Sequence, residues 1–133
     1  MTSKVEYLGE LRTSSTHLQS QQAILNDAPV DNHGKGEAFS PTDLLANSLA
    51  TCMFTIMAIK ANDLQVDLKG STAEVTKVMQ ASPRKISEIV IDFAMSTSVD
   101  EKNKAILERV AFTCPVYLSL NPDIVKIISF NWK

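Results

Sequence analysis

The spacing of apolar positions moves along the chain from a loose period of two to a helical period, and then back. Residues 3–25 alternate loosely in SKVEYLGELRTSSTHLQSQQAIL and predict two or three short strands in a meander. Residues 26–38, NDAPVDNHGKGEA, hold turn formers and almost no large apolar side chain. They predict a long loop, a kind of segment that often carries function in a compact domain. The run FSPTDLLANSLATCMFTIMAIKAND, residues 39–63, then reads as one long helix. Ser40 suits its N-cap, Pro41 its first turn and Asp43 the third position of a capping box, with Asn62 available as a left-handed stop. Leu45, Ser48, Leu49, Cys52, Met53 and Ile56 share one face at the 3.6-residue period. Leu44, Met57 and Ile59 widen that face until little of the helix is left for water, which hints at a dimer.

Strand-forming residues return in VDLKGSTAEVTKVMQ (66–80) and ISEIVIDFAMS (86–96), and the turn ASPRK between them predicts an antiparallel pair. An amphipathic helix is expected over SVDEKNKAILERVAFT, Ser98 to Thr113, with acidic residues early and Ala105, Ile106 and Val110 inward. In CPVYLSLN, Pro115 either ends that helix or opens a short new one. DIVKIISFNWK closes the chain as a strand. Strands, helix, strands, helix and strand in this order predict an α+β fold and not alternating βαβ units.

Composition narrows the function classes. A length of 133 residues with 44% apolar and 21% charged residues suits one globular domain, 1–133. The formal charge of −2 offers no broad basic surface, so nucleic acid is not an expected partner. The first residues lack the apolar core of a signal peptide, and no uninterrupted apolar run reaches membrane-spanning length. A cytoplasmic protein is the simplest expectation. In that reducing setting Cys52 and Cys114 are not expected to form a standing structural disulfide. With His17 and His33 they match no zinc-ligand spacing, so no metal is expected. What remains is either two inert core thiols or a cooperating redox pair.

The local settings of the two thiols differ. Cys114 precedes Pro115 at the expected head of a short helix, where backbone N–H groups favour a thiolate. Cys52 sits mid-helix on an apolar face, where desolvation opposes one. It needs a cation from elsewhere, and Arg12 in the N-terminal strands is the candidate. Taken singly, each residue has a plainer role: Cys52 as core packing, Arg12 as a solvated strand residue, Asp43 as a cap, Glu37 as a loop charge. His17 reads as a polar strand residue or a buried, hydrogen-bonded imidazole.

Taken together, GKGEAFSPTDLLANSLATCM and the later TCPVYLSL resemble the OsmC/Ohr family of osmotically inducible and organic-hydroperoxide-resistance proteins. EYLGELRTSSTH is similar to the family's N-terminal strand region with its arginine, so the resemblance covers essentially the whole chain. It implies an OsmC-like fold: antiparallel sheets around a long central helix carrying Cys52, in an intertwined homodimer. It implies that Cys52 is the peroxidatic thiol, Cys114 the resolving thiol and Arg12 the cation that holds the first as thiolate. The implied activity is an antioxidant, stress-response one, reduction of organic hydroperoxides without a resident cofactor. The implied reductant is an external dithiol, in several members a lipoylated protein. Leu45, Leu49 and Met53 would then line the substrate site.

One position departs from the pattern. The peroxidase branches carry a glutamate directly after the helix-opening proline, and here that residue is Thr42. Asp43 lies roughly 100° further round the helix and is no simple replacement. Glu37 can reach Arg12 only if its loop folds inward. A weakly active or non-catalytic dimer, binding a small apolar or electrophilic ligand, is therefore the alternative expectation.

Overall fold

The computed structural model describes all 133 residues, Met1–Lys133. They form two compact units, Met1–Leu45 and Ala46–Lys133.

The smaller unit is the expected meander, with β1 (Ser3–Gly9), β2 (Arg12–His17) and β3 (Ala23–Asp27) in one antiparallel sheet, ordered β1-β2-β3. Gly9, Glu10 and Leu11 all have positive φ where β1 turns into β2. Loop 28–39 contains a single turn of 3-10 helix at Val30–Asn32 and folds tightly back on itself. A Cβ at Gly34 would stand 1.7 Å from the Ala28 carbonyl oxygen, so only glycine permits that approach. No apolar side chain is buried in this unit. Its buried residues are Asn26, Asp27 and Ser40.

The long helix α1 spans Pro41–Asp63, its first turn in the smaller unit and the rest in the larger. At 23 residues it is long and apolar enough on average to cross a membrane by length and composition alone, although no uninterrupted apolar run within it reaches that length. Its packing accounts for much of that apolarity. Ala46, Leu49, Ala50, Met53, Met57 and Ala61 form one buried stripe. Leu45 and Ile59 remain exposed. The left-handed stop is not Asn62, which is still helical, but Gln65. The Val66 N–H then reaches back to the Ala61 carbonyl at 2.9 Å, closing the helix as a Schellman motif does.

A second sheet, ordered β4-β5-β6, joins β4 (Thr72–Ala81), β5 (Arg84–Ala94) and β6 (Val125–Asn131). The first strand starts six residues later than its composition suggested, because Val66–Ser71 serve the helix stop and a turn. The β4–β5 pair is antiparallel, but β5 and β6 run parallel, so the expectation of antiparallel sheets holds only in part. The physical reason is connectivity: α2 (Glu101–Ala111) and α3 (Pro115–Ser119) cross over between β5 and β6, and such a crossover returns the chain in the same direction. A bulge places Ser87 outside the β4 register. It shifts the inward alternation from Ile86 to Ile89, Ile91 and Phe93.

The core of the larger unit combines these residues with the α1 stripe, Leu107 and Ala111 of α2, and Cys114. Ala105, expected inward, is exposed, while Ile106 and Val110 are half-buried. Phe93 lies at its centre, edge-on to Phe54 at 4.7 Å and stacked on Phe130 at 5.0 Å. Such contacts add to simple area burial.

Candidate active site

Two groups of residues carry chemistry, one in each unit. In the larger unit α1 presents Cys52, half-buried, and α3 presents Cys114, fully buried. Both are free thiols of one apolar cluster, Cys114 within it and Cys52 packed against it. Cys114 is the N-cap of α3 with Pro115 directly after it, as the sequence predicted. The Tyr117 N–H donates to its sulfur at 3.2 Å. The acidity expected from that position does not follow. Burial pushes the Cys114 thiol up, and the neighbouring Cys52 thiol adds to the rise. The Tyr117 N–H pulls the other way, but a five-residue helix has little dipole with which to oppose desolvation.

Leu49 and Met53 have no exposed surface and pack inside the core, so as they stand they cannot line an open cleft. Leu45 is exposed. A groove of about 310 Å³ opens elsewhere in this unit, lined by Phe54, Ala58, Asn62, Leu68 and Lys69 among others, and neither cysteine borders it.

In the smaller unit the focus is Arg12, the first residue of β2. The β2–β3 register sets it directly opposite Asp27. Arg12 Nε donates to Asp27 Oδ1 at 2.7 Å and Nη2 to Oδ2 at 2.8 Å, a two-point ion pair whose carboxylate is buried. Loop 28–39 folds inward, and Nη2 also donates to Glu37 Oε2 at 3.0 Å. The Glu37 backbone N–H donates to Asp27 Oδ2 at 3.1 Å, so one loop residue braces both partners. Lys35 pairs with Glu10 at 2.7 Å and ties the same loop to the β1–β2 turn. The Arg12 bond holds the Asp27 carboxyl below its usual range despite burial. Arg12 is in turn raised, chiefly by Asp27 and then by Glu37, and stays charged.

Thr42 and Asp43 belong to the head of α1. Asp43 Oδ2 accepts from the Ser40 N–H and Ser40 Oγ accepts from the Asp43 N–H, both at 3.0 Å, completing the predicted capping box. Thr42 Oγ1 lies 3.2 Å from Ser40 Oγ. His17 Nδ1 is hydrogen-bonded to Ser20 Oγ at 2.7 Å and helps close the β2–β3 turn. Glu37 thus reaches Arg12 as the inward loop allows. The residue that sequence reasoning missed is Asp27, read only as a turn former. Its signal was a carboxylate ending a strand, AILND, that antiparallel pairing carries back to Arg12.

The profile of the OsmC-like proteins matches residues 34–128. The chain belongs to the OsmC-like protein family. No curated protein matches it. A solved protein of Psychrobacter arcticus 273-4, described as a candidate osmotic stress induced and detoxification response protein, is 56% identical. That likeness covers 98% of this chain and 96% of the other, with a TM-score of 0.95. The organic hydroperoxide resistance protein OsmC of Legionella pneumophila is 16% identical over 98% of this chain and 97% of its own, with a TM-score of 0.76. A candidate organic hydroperoxide resistance protein of Vibrio cholerae, solved with captopril in one of its active sites, is 18% identical. It covers 98% and 92% with a TM-score of 0.72. At those identities the last two show the OsmC-like fold alone.

Proposed function

We propose that this OsmC-like protein is a thiol-dependent peroxidase that reduces organic hydroperoxides. The Cys52 thiolate attacks the terminal oxygen of the O–O bond. An S–O bond forms, the O–O bond breaks, and the departing alkoxide leaves as the alcohol after taking a proton. Cys114 then attacks the sulfenic sulfur, expelling water and closing a Cys52–Cys114 disulfide, which an external dithiol reopens by exchange. Arg12 supplies the cation that favours the Cys52 thiolate and an N–H donor, through Nη1, for the peroxide. Cys114, pushed up by burial, waits as a protonated thiol, which suits a resolving role more than an attacking one. Two relatives are themselves named for organic hydroperoxide resistance, which supports the substrate class.

The observation that carries this reading is the pair of free thiols gathered in one apolar cluster, Cys52 half-buried on α1 and Cys114 buried at the head of α3. Stopped-flow mixing of the reduced protein with stoichiometric cumene hydroperoxide tests it. A fast reaction yielding a Cys52–Cys114 disulfide by mass spectrometry is expected. A rate no greater than that of free cysteine, without that disulfide, ends the reading.

The working form is a homodimer, in a reducing compartment, most simply the cytoplasm. Val5, Tyr7 and Ile24 share one face of the first sheet by register and are all exposed, as are Leu45 and Ile59 of α1. Such apolar area calls for a covering surface. Light scattering on the eluted protein should give twice the chain mass, and a monomer would remove this part of the proposal. The reductant is a dithiol, a lipoylated protein being the fitting carrier. Turnover with dihydrolipoamide should exceed turnover with glutathione, and equal rates would argue otherwise.

A second reading, a non-catalytic dimer binding a small apolar or electrophilic ligand, is favoured by the charge around Arg12. One guanidinium faces two carboxylates, and Thr42 stands where the peroxidase branches place glutamate. It predicts slow thiol oxidation and a melting temperature raised by such ligands.

A further inference from the structure

We propose that Asp27 is the positioning residue for Arg12: its buried carboxylate, and no residue of α1, aims the guanidinium for the reaction. The inference rests on the peroxidase reading above.

Four observations converge. Strand register places Asp27 across from Arg12, so the pairing is built into the β2–β3 ladder. The two-point contact through Nε and Nη2 fixes the plane of the guanidinium as well as its place. The Asp27 side chain is only 1% exposed and is itself held by the Glu37 N–H. The surrounding backbone is pinned on both sides, by the Asp27 N–H to the Phe39 carbonyl at 3.2 Å and the Ala28 N–H to the Leu11 carbonyl at 3.1 Å. Glu37 makes one contact from a side chain that is 65% exposed, a weaker restraint.

The donor count gives the consequence. A guanidinium has five N–H donors. Asp27 takes the one on Nε and one on Nη2, and Glu37 takes the other on Nη2. The two on Nη1 are left to give. Arg12 is therefore a matched charge with a single aimed nitrogen, suited to hold one acceptor atom such as a peroxide oxygen. Such an arrangement contributes through direction more than through bare charge, since two carboxylates offset the guanidinium's field.

That distinction decides the test, because two roles for Asp27 predict opposite signs. A carboxylate that merely damps Arg12 would, once neutralised, leave a stronger cation, a more acidic Cys52 and a faster reaction. A carboxylate that aims Arg12 would, once neutralised, leave it misplaced and the reaction slower. We would measure the second-order rate of cumene hydroperoxide with wild type, Asp27→Asn, Asp27→Glu and Glu37→Gln. Iodoacetamide alkylation of Cys52 against pH, which needs a thiolate but no aimed donor, would accompany it. Asp27→Asn is expected to lower the peroxide rate at least about ten-fold while alkylation changes by less than about three-fold. Glu37→Gln, which weakens only the single, exposed contact, should slow the peroxide reaction less than Asp27→Asn does. Asp27→Glu keeps the charge but moves it by one methylene, so it should also slow the peroxide reaction, and it serves if Asp27→Asn does not fold. An unchanged or faster peroxide rate in either Asp27 variant overturns the proposal.

Exchange of the Arg12 Nε–H, followed by ¹⁵N NMR, separates this failure from failure of the peroxidase reading. Should wild type react no faster than free cysteine, the peroxidase reading falls. Asp27 still holds Arg12 if Nε–H protection is lost in Asp27→Asn and kept in Glu37→Gln. Protection that survives Asp27→Asn overturns its role as well.

Discussion

The two units of this chain are held by different forces. Ala46–Lys133 buries Phe93, Leu49, Met53, Ile89, Ile91 and Leu107 completely, and its order comes from apolar packing. Met1–Leu45 buries only polar residues, and its order comes from strand pairing, a loop folded on glycine and a chain of ion pairs. Each kind of chemistry sits in the unit that suits it. A packed core gathers both sulfur atoms into one apolar cluster and raises the thiol that should wait. A polar, hydrogen-bonded unit holds a charged guanidinium in place, which an apolar core could do only at a large desolvation cost.

The contrast can be broken most directly by side-chain deletion. Phe93→Ala, which empties the centre of the larger core, should destabilise by about 3–5 kcal/mol, read as a drop in the urea midpoint. Val5→Ala in the smaller unit, where the side chain is 61% exposed, should cost under about 0.5 kcal/mol if nothing covers that sheet. A cost several times larger, shrinking as protein concentration falls, would show that a second copy does.

Next in size is Gly34→Ala. The added Cβ cannot coexist with the Ala28 carbonyl, so loop 28–39 must shift, at about 1–3 kcal/mol. The peroxide rate should fall with it as Glu37 and its backbone brace on Asp27 are displaced. Unaltered stability and rate would mean that the loop tolerates another path without disturbing Arg12. Ser40→Ala removes one half of the capping box at the head of α1 and should cost about 1 kcal/mol, with Cys52 alkylation unchanged.

The smallest effect expected is on pH dependence. The Arg12 bond depresses the Asp27 carboxyl in the folded chain, so the unfolded chain takes up its proton at a higher pH. The stability this contributes is complete above the ordinary carboxylate range and is lost as pH falls through the depressed value. Urea midpoints of wild type and Asp27→Asn should therefore differ most near neutrality and converge in acid. A gap that stayed constant to low pH would assign the stability of the pair to packing and not to charge.

Much of the fold was legible because its signals are local. Ser40, Pro41 and Asp43 announce the start of α1. Cys114 with Pro115 announces α3, and the turn at Ser82 and Pro83 announces the β4–β5 hairpin. Each depends on residues within a few positions, so neither the parallel return of β6 nor the shift at Ser87 could be seen. Gln65 took the left-handed stop from Asn62 for a similar reason: the helix ran on because Ala61 still had the core to pack against. Family membership rested on motifs spread along the chain, and these too are linear information.

By itself, then, the sequence determined the elements, the family, the candidate thiols and the arginine. Only the tertiary structure decided what surrounds them. It set Cys114 deep enough for desolvation to outweigh the helix head, put Leu49 and Met53 in the core instead of a cleft, and matched Arg12 to Asp27. Those outcomes depend on burial and on pairing between residues distant along the chain, such as Arg12 and Asp27 across β2 and β3. Propensity and period carry no term for either.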